Sequence, residues 1–180
     1  MNVYFCGLIG TGKTTIGIRL AERLGLEFRD LDREMDRRLG YSFHRLVQEE
    51  GWLAFRELEY SICRDFAGES NSIICLGGGT VRYDWNVDVL RPSGRLILLN
   101  TPLDVLVERV ARADRPRVNP GTTLAEDIRM MWEKSSGKYL AAADYVYDTG
   151  GKDLEQEVAE LASLITTDPL FAGLKTDRKV

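Results

Sequence analysis

The sequence predicts one α/β domain, built on a mostly parallel sheet with helices on both faces. Three observations lead there. Short apolar runs alternate with segments of helical periodicity along the 180-residue chain. A glycine-rich turn at residues 7–14 joins the first apolar run to the first helical segment. The length suits one domain, and no repeat, low-complexity tract or linker divides it.

Residues 3–6 form an apolar run ended by Gly7 and read as a buried strand. From Lys13 the pattern is helical, with Ile16, Leu20 and Leu24 on one face and Gly25 as the stop. A brief strand over 26–28 leads to Asp30-Leu31-Asp32, and a helical stretch then runs to Leu39 and closes at Gly40. Phe43, Leu46 and Val47 suggest a short helix ending near Gly51, and Leu58, Ile62 and Phe66 mark one face of a longer one. Residues 72–76 are the next strand, stopped by Gly77-Gly78-Gly79. A further strand covers 95–99, and Pro102 opens a helix carrying Leu103, Leu106, Val107 and Val110. Residues 112–123, rich in Arg, Asp, Pro and Gly, read as a mobile loop. A helix over 124–140, a strand over 145–147 and a helix over 153–165 complete the domain, taken as residues 1–166. The polar tail, 167–180, is assigned no structure.

Composition excludes several kinds of chemistry. A net charge of −4 gives no excess of Lys and Arg, so no nucleic-acid partner is expected, although a local basic cleft can still hold an anion. The three cysteines, Cys6, Cys63 and Cys75, are odd in number and far apart, which indicates neither a disulfide framework nor a zinc site. The one histidine, His44, lies among helical apolar positions and reads as packing or surface. Catalytic schemes needing a His base or His metal ligands would rest on it alone. No run approaches the ~20 apolar residues of a membrane span, and the N-terminus lacks the charged region of a secretory signal. A reducing, cytoplasmic setting and no membrane partner are expected.

Gly7-Leu8-Ile9-Gly10-Thr11-Gly12-Lys13-Thr14 matches the phosphate-loop pattern G-x-x-x-x-G-K-[ST]. Glycines let the backbone curl so that successive N–H groups face one concavity, and the following helix adds the positive end of its dipole. Lys13 would reach the β- and γ-phosphates of a nucleotide, and the Thr14 hydroxyl would ligate Mg²⁺. The pattern is shared by GTPases, motors and small-molecule kinases, so it indicates nucleotide binding without a reaction. The strand at 72–76 ends in glycines, where motors and switches carry a metal-holding acid. The carboxylates nearest in pattern are then Asp30 and Asp32.

These motifs resemble the shikimate kinase family over about residues 3–165. The resemblance is carried by the phosphate loop followed by Thr15-Ile16-Gly17, Asp30-x-Asp32, Gly51-x-x-x-Phe55-Arg56-x-x-Glu59, Gly77-Gly78-Gly79 and Arg115-Pro116, in that order. It implies the three-layer P-loop kinase fold with a five-stranded parallel sheet and a lid loop at about 112–123. It also implies ATP and Mg²⁺ as cosubstrate and cofactor and phosphorylation of the shikimate 3-hydroxyl; a monomer is expected. By the same resemblance, Gly10, Thr11, Gly12, Lys13, Thr14, Thr15 and Arg112 would bind ATP, with Thr14 and Asp30 at the metal. Asp32 would align or deprotonate the acceptor hydroxyl, Arg56 and Gly77–Gly79 would hold the acceptor, and Arg115 would neutralise the transferring phosphoryl group with Lys13.

Each assignment has a plainer alternative. Asp32 can be a helix N-cap, Arg56 a solvated i,i+3 partner of Glu59, the glycines a tight turn, and Arg115 a solvated loop cation. Arg82 and Arg117 are basic residues near presumed acceptor segments and cannot be ranked. Where the family carries a second carboxylate-binding arginine in an Arg-x-Pro-x-Tyr stretch, this chain has Ser135-Ser136-Gly137-Lys138-Tyr139. Ser135 cannot replace a charged fork, and Lys134, Lys138 or Arg117 are the candidates to compensate. Two alternatives to a shikimate kinase therefore stand: a kinase of this fold with another small acidic acceptor, and a nucleotide-binding module without turnover.

Overall fold

The computed structural model describes residues 1–111, 118, 119 and 121–176. Five parallel strands, β1 (Asn2–Cys6), β2 (Glu27–Asp30), β3 (Ser72–Cys75), β4 (Gly94–Asn100) and β5 (Tyr145–Asp148), form one sheet in the order β2-β3-β1-β4-β5. The central β1 pairs Tyr4 with Ile74 of β3 on one side and with Leu96 of β4 on the other. The chain winds first toward β2 and then returns across β1 to β4. Loops after β1, β2 and β3 therefore meet at the carboxyl edge where the winding reverses, the place at which open α/β sheets bind ligands.

Helices α1 (Lys13–Leu24), α2 (Leu31–Leu39), α3 (Phe43–Ala67), α4 (Asp84–Leu90), α5 (Leu103–Ala111), α6 (Leu124–Ala142) and α7 (Leu154–Thr167) cover the two faces. Alternate residues of β1 show why two cores form. Tyr4 and Cys6 pack beneath α2, α3 and α6 with Met35, Ile62, Phe66 and Tyr139. Val3 and Phe5 face Ile16, Leu20 and Leu24 of α1 and Val158, Leu161 and Ile165 of α7. Gly17 lets α1 sit against the sheet, because a Cβ there would meet Cys75 Sγ at 2.7 Å and Phe28 Cε2 at 2.9 Å. The three cysteines are buried and free. No helix of the described residues is long and apolar enough to cross a membrane.

The two helices expected on either side of Gly51 are present: the stretch α3 is broken at Gly51, whose φ of 86° is not helical. Residues 84–90, given no element by the sequence pattern, form α4, whose Val87 and Leu90 are buried. The tail also departs from expectation. Helix α7 continues to Thr167, Asp168 caps a 3-10 turn at Pro169–Phe171, and Phe171 is buried against the α1/α7 core. Beyond it, the Lys175 amide donates to Asn71 Oδ1 at 3.0 Å. A short apolar pair at the end of a polar stretch has no periodicity to read, yet one aromatic ring anchors it. Phe171→Ala should cost about 3–5 kcal/mol, the usual loss for a buried phenylalanine, measured by urea unfolding. A loss under about 1 kcal/mol would show that the tail is not part of the core.

Candidate active site

The phosphate loop is shaped by steric exclusion. At Gly7, φ is +142° and a Cβ would lie 2.8 Å from the Leu99 carbonyl; at Gly10, φ is +83° and a Cβ would meet Val110 at 2.8 Å. Thr11 is buried and its hydroxyl donates to the Leu8 carbonyl at 2.9 Å, bracing the curl. Gly12 is the N-cap of α1 and supplies no side-chain cap, and no acidic residue lies in the first turn. The first amides of α1 therefore present uncompensated positive potential. Lys13 donates to the carbonyls of Gly7 and Leu8, both at 2.9 Å. Burial holds its ammonium pKa below the usual lysine value, against the opposing charge of Asp32. Thr15 follows on the exposed side and lines the same cleft.

Asp30 and Asp32 follow β2, and the capping role falls on Asp30. Its extended backbone ends the strand and its Oδ1 accepts from the Arg33 amide at 3.2 Å. Asp32 lies inside the first turn of α2, so the alternative of Asp32 as the cap does not hold. The other Asp30 oxygen accepts from the Thr14 hydroxyl at 2.7 Å. This neighbouring hydroxyl and carboxylate form an all-oxygen donor pair, which suits Mg²⁺ completed by phosphates and water. No cluster of three or more His, Cys, Asp or Glu able to hold a metal by itself exists among the described residues.

The glycine run after β3 makes room for charged groups. A Cβ at Gly77 would lie 3.0 Å from Asp32 Oδ1, and one at Gly79 would lie 3.1 Å from Arg56 Nη2. The run also makes the expected turn, with the Thr80 amide donating to the Gly77 carbonyl at 3.2 Å. Arg56 Nη1 donates to Glu59 Oε2 at 2.7 Å, but the pair is not solvated: the two side chains are 14% and 1% exposed. Glu59 also accepts from the Thr80 hydroxyl at 2.8 Å and from Asn86 Nδ2 at 3.1 Å. The guanidinium lies over the rings of Phe55, Trp52 and Tyr83, and Arg56 Nε is buried without a partner. Tyr139 of α6 donates its hydroxyl to the Gly78 carbonyl. Ser135, one turn earlier, is buried and lines the same space.

Asp32, Arg56, Gly77–Gly79, Ser135 and the phosphate loop open into one cleft of about 920 Å³. Arg112 and Arg115, with Arg117, lie outside the described residues. Sequence reasoning passed over Arg109 on α5, whose Nη1 lies 3.5 Å from the Gly10 carbonyl. It also passed over Glu59 as the organiser of Arg56. Its only signal was the i,i+3 spacing, and the donors from Thr80 and Asn86 are far away in sequence. His44 is exposed and packs its ring 4.2 Å from that of Phe43.

A phosphate loop at the switch point of a five-stranded parallel sheet, sharing a cleft with a carboxylate and an arginine, defines a P-loop kinase of small molecules. The family model for shikimate kinase matches residues 9–166, and the chain belongs to the shikimate kinase family, whose members are ATP-dependent phosphotransferases. The chain is 35% identical over 165 residues to a shikimate kinase of Geobacter sulfurreducens, covering 91% of this chain and 90% of that one. It is 34% identical over 165 residues to one of Persephonella marina, covering 91% and 98%. Among solved structures, the shikimate kinase from Acinetobacter baumannii in complex with shikimate superposes with a TM-score of 0.86 at 28% identity, covering 94% of each chain.

The end of the cleft beyond α1 holds Glu157, which is 3% exposed, its Oε1 without a hydrogen-bond partner among the described residues. Desolvation raises its carboxyl pKa above the ordinary 4.5, and Arg109 and Lys152 oppose that only in part. A carboxyl whose pKa is raised by folding stabilises the fold while neutral, and that contribution is lost as pH rises through the folded value. Glu157→Gln should therefore melt with wild type near pH 4 and above it at pH 7–8, by differential scanning fluorimetry across pH. A pH-independent difference would refute the desolvated carboxyl.

Proposed function

We propose that the chain transfers the γ-phosphoryl group of ATP to the 3-hydroxyl of shikimate. The observation that carries this reading is the convergence of the phosphate loop, Asp32 and Arg56 on one cleft, in a fold that superposes along nearly its whole length on a relative solved with shikimate. The amides of Gly10–Thr15 would hold the phosphates, and Lys13 would leave the Gly7 and Leu8 carbonyls to reach the β- and γ-oxygens. Arg109 and the α7 end of the cleft would face the nucleoside. Asp32, pressed against Gly77, would orient the acceptor hydroxyl and take its proton as the new P–O bond forms. Arg56, fixed by Glu59, would grip the carboxylate, and the backbone of Gly77–Gly79 would meet the ring hydroxyls. Thr14 and, through water, Asp30 would hold Mg²⁺, which when bound neutralises charge on the phosphate oxygens. Arg115 and Arg112 keep the roles that the family resemblance implies, at the transferring phosphoryl and at ATP.

A second reading, a different small carboxylic acid as acceptor, is favoured by Ser135, which brings no charge to the acceptor end of the cleft. A coupled ADP-release assay over a panel of hydroxy acids decides between them. Turnover with shikimate well above hydrolysis by water supports the first reading, and turnover only with another acid supports the second. Asp32→Asn should lower kcat about 10²–10⁴-fold, as for loss of a general base. Lys13→Ala should abolish transfer while circular dichroism stays that of wild type. Transfer at wild-type rate in either variant would refute the site.

A further inference from the structure

We infer that Arg82 is the second cation that binds the acceptor's carboxylate, acting together with Arg56, with which it lines one cleft. The inference rests on the acid-acceptor reading above. A carboxylate leaving water needs compensating charge, and Arg56 brings little net charge of its own. Its guanidinium is already paired at 2.7 Å with Glu59, in a site nearly closed to solvent. That pair offers hydrogen-bond donors but is formally neutral, so a carboxylate resting on Arg56 alone also meets the field of Glu59.

Among the described residues, the other cations at or near the cleft are committed elsewhere; Arg117 lies outside those residues. Lys138 binds both oxygens of Asp84, at 2.7 and 2.8 Å, and Lys134 donates to Asn119 Oδ1 at 3.1 Å. Lys13 is held in the phosphate loop. Arg109 reaches the Gly10 carbonyl, and Lys152 pairs with Glu160 at 2.7 Å beside α7. Ser135 adds one neutral hydroxyl.

Arg82 differs in each respect. The 3-10 turn Thr80–Arg82 follows the glycine run directly, and the Arg82 amide donates to the Gly79 carbonyl at 3.1 Å, which sets where its side chain begins. It lines the cleft with Gly77–Gly79, Ser135 and Tyr139. Its side chain is exposed and makes no ion pair or hydrogen bond among the described residues. Its charge reaches the Tyr139 hydroxyl, where it opposes the upward push of burial on that phenol, and the same hydroxyl sits on the Gly78 carbonyl. Arg82 thus lines the cleft beside the Gly77–Gly79 run as an uncommitted planar fork of the kind that takes a carboxylate on two parallel N–H groups.

The test compares wild type with Arg82→Ala, Arg82→Gln and Arg82→Lys, using shikimate as acceptor and shikimate carboxamide as a neutral competitive inhibitor. Loss of a charge-assisted contact should raise KM for shikimate about 10- to 100-fold in the Ala and Gln variants, with much smaller changes in kcat. Lys should recover a substantial part. The inhibition constant of the carboxamide should be the same in wild type and Arg82→Ala. A shikimate KM within about twofold of wild type in Arg82→Ala, or an equal loss for acid and carboxamide, would overturn the inference. Absence of turnover in the wild-type protein with shikimate and with every other hydroxy acid of the panel would overturn the acid-acceptor reading itself, a result visible before any variant is compared.

Discussion

Glu59 is the constraint around which the acceptor half of this molecule is arranged. A carboxylate 1% exposed must be compensated within the protein, and it draws donors from three separate segments: Arg56 on its own helix, Thr80 after the glycine run and Asn86 on α4. Satisfying that one group fixes the pose of Arg56, holds the turn after β3 beneath it and docks α4 against α3. Removing either charged partner would strand the other in a dry site, a change usually worth about 3–5 kcal/mol. In the proposed role of Arg56, the network's worth is preorganisation, since Glu59 holds the guanidinium in one pose.

The phosphate half is built on the opposite principle. There the backbone is left under-satisfied at the start of α1, and steric exclusion at Gly7 and Gly10 keeps side chains out of the concavity. One half of the cleft is thus a closed network with its charges paired, the other an open arc of amides awaiting anions. Asp30 and Asp32 stand between them and divide the labour. Asp30 is tied to both Thr14 and the Arg33 amide, while Asp32 lies against Gly77, toward the acceptor segments.

The parts legible in the sequence are those that local chemistry dictates. The phosphate loop could be read because its glycines and Lys13 have few other uses in that spacing, and the strands because buried parallel strands are continuous apolar runs. The order of Asp30 and Asp32 at the helix start was not legible, since a cap shifted by two residues leaves the same pattern. Arg56 had two readings that both contain truth: the i,i+3 pair exists, but its burial comes from Thr80 and Asn86, which no local window includes. Helix α4 is short, and Phe171 stands in a polar stretch. Both owe their place to tertiary packing and leave no periodic trace. Arg109 was passed over because a single arginine on an amphipathic helix carries no local signal, and its approach to the Gly10 carbonyl comes from the packing of α5 beside the phosphate loop.

Lys13, resting on the Gly7 and Leu8 carbonyls, ties the loop's cation to the loop's own backbone. The ammonium that would neutralise a bound polyphosphate is engaged beforehand with the loop's own oxygens, in a partly desolvated place. An anion must break two charge-assisted hydrogen bonds before it gains the lysine. Chloride or a lone phosphate returns little for that exchange, whereas a chain of phosphates also engages the amides of α1 and repays it several times over. On the proposed reading, binding of a polyphosphate therefore begins with an exchange of partners at Lys13, from the loop's carbonyls to phosphate oxygens.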